Sequence, residues 1–158
     1  MNKHMVVVAD GARASLFVVE KDATLQVGSR LVKKADLLNA DYLARGKDAP
    51  QVKTERNTNS ESGPMQTQGA MRDRHRAELE RRFAHDVAAK CAELLKTEPR
   101  GALVLVAGAR MLGYIREPLH KALAKSVVIT ELARSYTRLS PHTLHLRLTE
   151  HHLLPQGG

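Results

Sequence analysis

The sequence predicts an α/β domain in which a mixed five-stranded sheet carries helices on its faces. Two uninterrupted apolar runs, residues 5–9 and 102–107, are typical of strands buried on both sides of a sheet. Between them, apolar residues recur at helical spacing over residues 79–95, which predicts a long crossover helix. Strand–helix–strand crossovers place helices against a sheet, so these observations together favour the α/β class.

The first third of the chain predicts a three-stranded meander. Residues 5–9 form the first strand and residues 13–20 the second, and Asp10-Gly11 between them is a strong hairpin signal. The first two strands should therefore be antiparallel. Residues 25–33 alternate less cleanly and are predicted as the third strand, after a turn at residues 21–24.

The remainder of the chain predicts helix, strand, helix, strand, helix. Asp73 is the expected N-cap of the long helix, which ends before Pro99, and residues 102–107 form the fourth strand. A second helix starts at about Arg110 and is expected to break or restart at Pro118. Its inward side chains should be Met111, Leu112, Ile115, Leu119 and Leu123.

The predicted order of elements ends with a short strand and a capped helix. Residues 127–130 form the fifth strand, and Ser140 caps a final helix that has Pro141 at its first position. Three strands followed by helix, strand, helix, strand and helix match the ribonuclease H-like topology. That topology carries many activities, so side chains must decide the function.

Length and composition suit one cytoplasmic domain. The 158 residues fit a single domain over residues 1–152, with a polar loop at about 45–72 and a C-terminal tail at 153–158. A single cysteine, Cys91, excludes an internal disulfide and fits a reducing compartment. It lies on the apolar stripe of the long helix, which favours a buried small hydrophobe. No apolar run approaches a membrane span, so no membrane partner is expected.

The charge balance favours an anionic partner. A net charge of +8 attracts phosphate backbones or acidic surfaces over long distances. With three Tyr, two Phe and no Trp, the chain lacks the stacking surfaces on which single-strand binders rely. The candidate contacts lie along the polar loop and the start of the long helix: Arg45, Lys47, Lys53, Arg56, Arg72, Arg74, His75, Arg76 and Arg81.

Two interpretations of this basic segment stay open. Arg72, Arg74 and Arg76 are expected in or before the first helical turn, where the helix dipole disfavours cations and an anionic partner would relieve the cost. Alternatively, nearby acids such as Glu78 pair with arginines three or four residues away, which would make the segment a solvated, self-paired helix face.

A second candidate site lies where two predicted strands end. Residues 9–13 (ADGAR) and 107–110 (AGAR) echo one another, and both turns share one sheet edge if strands one and four are parallel neighbours. Arg13 and Arg110, with nearby backbone N–H groups, could hold an anion there. The alternatives are that Arg110 pairs with Asp10, that Asp10 is a turn residue, or that a hydrolase acts near these three residues.

No catalytic residue, metal or cofactor is predicted. A two-metal nuclease is disfavoured because residues 107–109 supply no second carboxylate at the sheet edge. His142, His145 and His152 lie roughly on one face of the last helix and are weak zinc candidates. A solvated helix face is the alternative for these histidines.

Four blocks carry a family resemblance: residues 6–17 (VVVADGARASLF), 81–84 (RRFA), 103–113 and 132–141 (LARSYTRLSP). Across nearly the whole chain the sequence resembles the bacterial family of proteins required for attachment to host cells. That family is in turn similar to the middle domain of archaeal and eukaryotic class I release factors and Pelota. The resemblance implies the same sheet and a long loop before the first long helix.

The resemblance also implies a function. Release factors carry Gly-Gly-Gln in that loop, whereas residues 63–72 here (GPMQTQGAMR) contain Gln66 and Gln68 without that motif. The implied function is a non-catalytic factor bound to the ribosome or to structured RNA such as tRNA, with a role in translation stress or hibernation, and with Gln66 and Gln68 among its contacts. A protein–protein module in host-attachment or envelope physiology, in which the basic loop meets an acidic partner, is the alternative. Neither interpretation predicts an oligomeric state.

Overall fold

The structure, a computed structural model, describes residues 4–25, 28–44 and 63–155, with side chains described from residue 71 onward in the last range. Strands and helices alternate after an initial run of three strands. The strands are β1 (His4–Ala9), β2 (Arg13–Lys21), β3 (Ser29–Leu38), β4 (Ala102–Ala107) and β5 (Val128–Ala133), and the long helices are α1 (Gly63–Thr97), α2 (Ala109–Ala122) and α3 (Pro141–Glu150). Residues 40–44 are also helical.

The five strands form one mixed sheet in the order β3-β2-β1-β4-β5, which confirms the predicted five-stranded α/β architecture. β1 pairs antiparallel with β2 and parallel with β4, and β5 continues the parallel half. In this register Ala9 lies beside Ala107, and Ala107 lies beside Ala133. The ends of three strands therefore meet at one border of the sheet, which we call the carboxyl edge.

Each face of the sheet has its own apolar core. Val7 and Leu105 pack in one core with residues of α1 and α2, whereas Val6 and Val104 pack in the other with residues of α3. Successive strand residues point to opposite faces, so central strands covered on both sides must be apolar at every position. This arrangement explains the uninterrupted apolar runs of β1 and β4.

β3 starts later than predicted. Residues 22–25 form a turn in which the Leu25 N–H donates to the Asp22 carbonyl at 3.1 Å, and the Gly28 N–H donates to the Leu25 carbonyl at 3.0 Å. Gly28 has a φ of 77°, a conformation that favours glycine, so the strand begins at Ser29 and not at residue 25. Residues 26–27 of the predicted strand lie outside the described residues.

β5 is also displaced from its prediction. It covers Val128–Ala133, and all six residues of β4 pair with it. The prediction covered residues 127–130 and left out Glu131, the charged residue that follows. At the border of a sheet, pairing with a central strand outweighs the low strand propensity of one charged residue.

α1 begins ten residues before the predicted cap. Asp73 is an interior helical residue, and the helix starts at Gly63, inside the segment predicted as loop. Met, Gln, Ala and Arg in this stretch are good helix formers, and the prediction gave too much weight to its missing apolar residues. Arg72, Arg74 and Arg76 consequently lie well inside the helix, so the argument from the helix dipole was wrong.

α2 passes through Pro118 without the predicted break and ends at Ala122. Ile115 and Leu119 on either side of Pro118 are fully buried against the sheet, so packing outweighs the one hydrogen bond that proline removes near the helix end. The predicted inward side chains are confirmed, since the buried positions are Met111, Leu112, Ile115, Leu119 and Leu123.

α3 begins as predicted. The Ser140 Oγ accepts a hydrogen bond from the Thr143 N–H at 3.1 Å, with Pro141 in the first turn. Beyond the helix, Leu154 is buried in the core beneath α3, so the predicted C-terminal tail begins within the folded part. Residues 156–158 lie outside the described residues, and the division into one domain stays a prediction.

Candidate functional site

Asp10 holds the turn that follows β1. Its Oδ1 accepts hydrogen bonds from the N–H groups of Ala12 at 2.8 Å and Arg13 at 2.9 Å. Its Oδ2 accepts a hydrogen bond from the Thr137 hydroxyl at 2.7 Å, which ties the hairpin to the segment after β5. Both carboxylate oxygens are therefore engaged, and Asp10 is a turn residue, as one of the alternatives predicted. Arg13 is exposed in the same turn.

Arg110 pairs with Glu80 and not with Asp10. The Arg110 Nη2 lies 3.1 Å from the Glu80 Oε1, an ion-pair distance without the alignment of a hydrogen bond. Glu80 is only 5% exposed, whereas the Arg110 side chain is 54% exposed. The pKa of Arg110 is raised because its Nε donates to the Tyr114 hydroxyl and because Glu80 is negative. Since α2 has no acid in its first turn, Glu80 offsets the unfavourable charge of Arg110 at that helix start.

The hairpin turn closes over Glu80. A Cβ on Gly11 would lie 2.6 Å from the Glu80 Oε2 and 3.2 Å from the Tyr42 Cζ, so the close approach requires glycine. The Asn39 amide donates to the carbonyls of Gly11 at 3.0 Å and Leu79 at 3.2 Å, which ties the hairpin to α1. Glu80 is thus enclosed by the hairpin, α1 and α2.

Three arginines lie against two tyrosines around this buried acid. The Arg76 Cζ lies 6.0 Å from the centre of the Tyr42 ring. The Arg81 and Arg110 Cζ atoms lie 5.1 Å and 6.0 Å from the centre of one ring, that of Tyr114. These are cation–π distances. We call these five residues the arginine–tyrosine cluster.

The sequence predicted only part of this site. It placed residues 9–13 and 107–110 at one sheet edge, and the parallel pairing of β1 and β4 brings them there. It missed Glu80, Asn39, Tyr42 and Tyr114. One signal was present, because Glu80 follows Ala77 and precedes Ala84 at the spacing of the apolar stripe, where a charged residue needs a partner.

Only part of the predicted basic segment lies within the described residues. Gln66 and Gln68 belong to α1, but their side chains lie outside the described residues, as do Arg45, Lys47, Lys53 and Arg56 entirely. Arg82 pairs with Glu78 one turn away at 3.2 Å, so the self-paired interpretation holds for that residue. Arg72, Arg74, His75 and Arg76 precede the first buried side chain of the described part of α1, that of Ala77.

The three predicted histidines do not converge, and His152 lies beyond α3, which ends at Glu150. His145 is 3% exposed, and its Nε2 forms a hydrogen bond of 2.8 Å with the Ser29 hydroxyl, whereas His142 and His152 are exposed. Among the described residues, no three His, Cys, Asp or Glu side chains are placed to hold a metal ion. Cys91 is fully buried, as predicted, and burial raises the pKa of its thiol to about 12.

His145 should make stability depend on pH. Burial, and to a lesser degree the charge of His142, lowers the pKa of His145 below its usual value near 6.5. The folded state therefore favours the neutral ring, and this contribution is complete above about pH 6.5 and is lost as the pH falls through the lowered pKa. Urea unfolding between about pH 7.5 and pH 5 should show a smaller fall in the free energy of unfolding for His145→Gln than for wild type.

His85→Gln is the matched control for this measurement, because His85 is exposed on α1. It should retain the wild-type pH profile. Identical profiles for His145→Gln and His85→Gln would contradict the assignment of the pH dependence to His145.

The described helices include none that is both long and apolar enough to cross a membrane. The cytoplasmic location expected from the sequence stays a prediction.

Fold and site together define an α/β protein with a cluster of arginines and tyrosines beside the carboxyl edge of its sheet. Residues 5–148 match the family described as "protein required for attachment to host cells", and the chain belongs to this family. A search of curated proteins found no match.

Family membership corrects one expectation from the sequence and confirms another. The predicted resemblance to the host-attachment family is confirmed. The leading functional prediction, a ribosome- or RNA-associated factor in translation stress or hibernation, was wrong, because the family is named for attachment to host cells and not for translation. The similarity to release factors and Pelota stays a prediction.

Proposed function

We propose that this protein is a protein–protein interaction module of host-attachment or envelope physiology, and that the basic side of α1 contacts an acidic surface of its partner. Family membership supports the physiological setting. The observation that carries the proposed surface is the stretch of α1 at residues 71–76, in which no side chain is buried.

This stretch receives little stabilisation from the protein's own core. A surface helix normally buries an apolar stripe, and short helical segments without tertiary packing are marginal in water. Residues 71–76 are helical without such a stripe, and Met71 is 59% exposed among arginines. Methionine and arginine are enriched in protein interfaces, so the composition suits a contact surface.

Charge indicates the chemistry of the partner. Arg72 and Arg76 lie about one turn apart on one side of α1, Arg74 lies toward the other side, and the whole chain carries a net charge of +8. An acidic protein surface would be steered toward this helix and would compensate its charge on docking. Association should therefore weaken as salt rises.

We also infer that the domain has the ribonuclease H-like topology that release-factor middle domains share. The strand order, the antiparallel meander and the two parallel crossovers support this inference. It concerns the arrangement of the chain and implies no shared activity.

The proposed function is tested by partner binding. Proteins retained by the tagged wild type from ribonuclease-treated envelope or host-surface fractions would be identified, purified and titrated individually. A triple change of Arg72, Arg74 and Arg76 to Gln should weaken binding of the purified partner by about ten- to a hundredfold, because the contacts of Arg72 and Arg76 are lost together with the nearby charge of Arg74.

A second triple variant controls for net charge. Lys121, Lys125 and Arg147 are exposed bases on other parts of the surface, and changing them to Gln removes the same charge. This variant should bind within about twofold of wild type. Equal losses in the two triple variants, or retention that disappears with ribonuclease treatment, would contradict the proposal.

A further inference from the structure

Arg81 and Arg110 share one aromatic ring although they lie on different helices. Both guanidiniums lie within cation–π distance of the Tyr114 ring, and the Tyr114 hydroxyl also accepts from the Arg110 Nε at 3.4 Å. Two arginines that are 29 positions apart in sequence thus converge where α1 packs on α2.

Their charges are only half compensated. Glu80 pairs with Arg110 at 3.1 Å, and the neighbouring acid Glu78 pairs with Arg82 at 3.2 Å. Within the described part of the chain, no carboxylate lies at ion-pair distance from Arg81. Arg81 and Arg110 together therefore keep one positive charge that a ligand carboxylate would neutralise.

The two guanidiniums are also held in place before any ligand arrives. Glu80 and the Tyr114 hydroxyl fix Arg110, and the Tyr114 ring supports Arg81. Arg81 lies against the ring without a carboxylate of the described residues at ion-pair distance, which leaves its N–H groups for a bidentate contact, whereas the Nε and Nη2 of Arg110 already face Tyr114 and Glu80. Prior ordering lowers the entropy cost of binding, so such a pair binds more tightly than two mobile surface arginines.

We propose that Arg81 and Arg110, supported by Tyr114, form a binding site for a side-chain carboxylate in an acidic segment of the partner protein. This inference rests on the proposed function and names one anchoring contact within it. The ligand class is an Asp- or Glu-rich peptide, and Arg81 supplies the positive charge that no acid of the site compensates.

The test uses a fluorescein-labelled hexaglutamate peptide and the full-length protein. Fluorescence anisotropy should show that Arg81→Gln weakens binding by about tenfold, which corresponds to the loss of one charge-assisted contact. Arg81→Lys should lose most of that affinity as well, because lysine keeps the charge but lacks the planar fork. An uncharged hexaserine peptide should not bind.

Arg82→Gln is the matched control. Arg82 is the next residue of the same helix, is exposed, and already pairs with Glu78. Its change to Gln removes the same charge but none of the residues of the proposed site. This variant should bind hexaglutamate within about twofold of wild type. Equal losses in Arg81→Gln and Arg82→Gln, full affinity in Arg81→Lys, or no loss in Arg81→Gln would each overturn the site.

The two proposals fail separately. If Arg81→Gln binds hexaglutamate as wild type does, but the purified partner still needs Arg72, Arg74 and Arg76, the carboxylate site alone is overturned. If hexaglutamate binding needs Arg81 but binding of the purified partner does not need those three arginines, the carboxylate site is supported and the proposed interaction surface is overturned.

Discussion

Replacement of Leu105 by alanine is expected to lower the free energy of unfolding by about 3 kcal/mol. Leu105 is fully buried in β4, beside Val7 of β1, in the core that α1 and α2 cover. The loss combines the transfer energy of the removed carbons with the cost of the cavity left behind. Because strands and helices surround Leu105, the cavity left by alanine can close only in part.

Leu38→Ala is the control for this prediction. It makes the same chemical change on the outer strand β3, where Leu38 is 66% exposed, and should cost less than about 0.5 kcal/mol. Urea unfolding followed by circular dichroism measures both variants at constant m-value. Comparable losses in the two variants would show that Leu105 does not occupy a packed central position.

Arg110→Gln is expected to lower the free energy of unfolding by about 2 kcal/mol, because it leaves the Glu80 carboxylate buried without its cation. Breaking a buried ion pair costs more than this, but the Arg110 side chain is 54% exposed and water screens the pair. Glu80→Gln keeps the size of the side chain and removes the charge. It should therefore rescue part of the loss when combined with Arg110→Gln.

A double-mutant cycle measures this interaction. The coupling between Glu80 and Arg110 should be about 1 kcal/mol. The exposed pair Glu78–Arg82 on the same helix is the matched control, and its cycle should give less than about 0.5 kcal/mol. Equal couplings would mean that burial of Glu80 adds nothing to the ion pair.

Local patterns predicted the elements that depend on neighbouring residues. The apolar runs of β1 and β4 are necessary because both faces of the sheet are covered, and the cap at Ser140 depends on residues within one helical turn. The stripe that includes Phe83, Val87 and Cys91 likewise follows from the helical period. In each case the physical cause lies within a few positions of the residue, so the sequence displays it.

Boundaries that depend on distant pairing were predicted poorly. β5 extends through Glu131 because β4 offers six partners, and β3 begins only after a turn that Gly28 permits. α1 continues to Gly63 although its first turns carry no apolar stripe in the sequence. Propensity is a weak guide to the ends of β3 and β5 because tertiary context overrides it there, whereas the helix propensity of its residues accounts for the extension of α1.

The sequence by itself determined the α/β class, the order of strands and helices along the chain, and the host-attachment family. It also showed the concentration of arginines before the apolar stripe of α1. Only the tertiary structure decided which acid pairs with Arg110, and it brought Arg81 and Tyr114 together beside that pair. These residues lie on separate helices, and their contacts depend on how α1 and α2 pack over the sheet. Contacts between distant positions are set by that packing, which no local pattern in the sequence records.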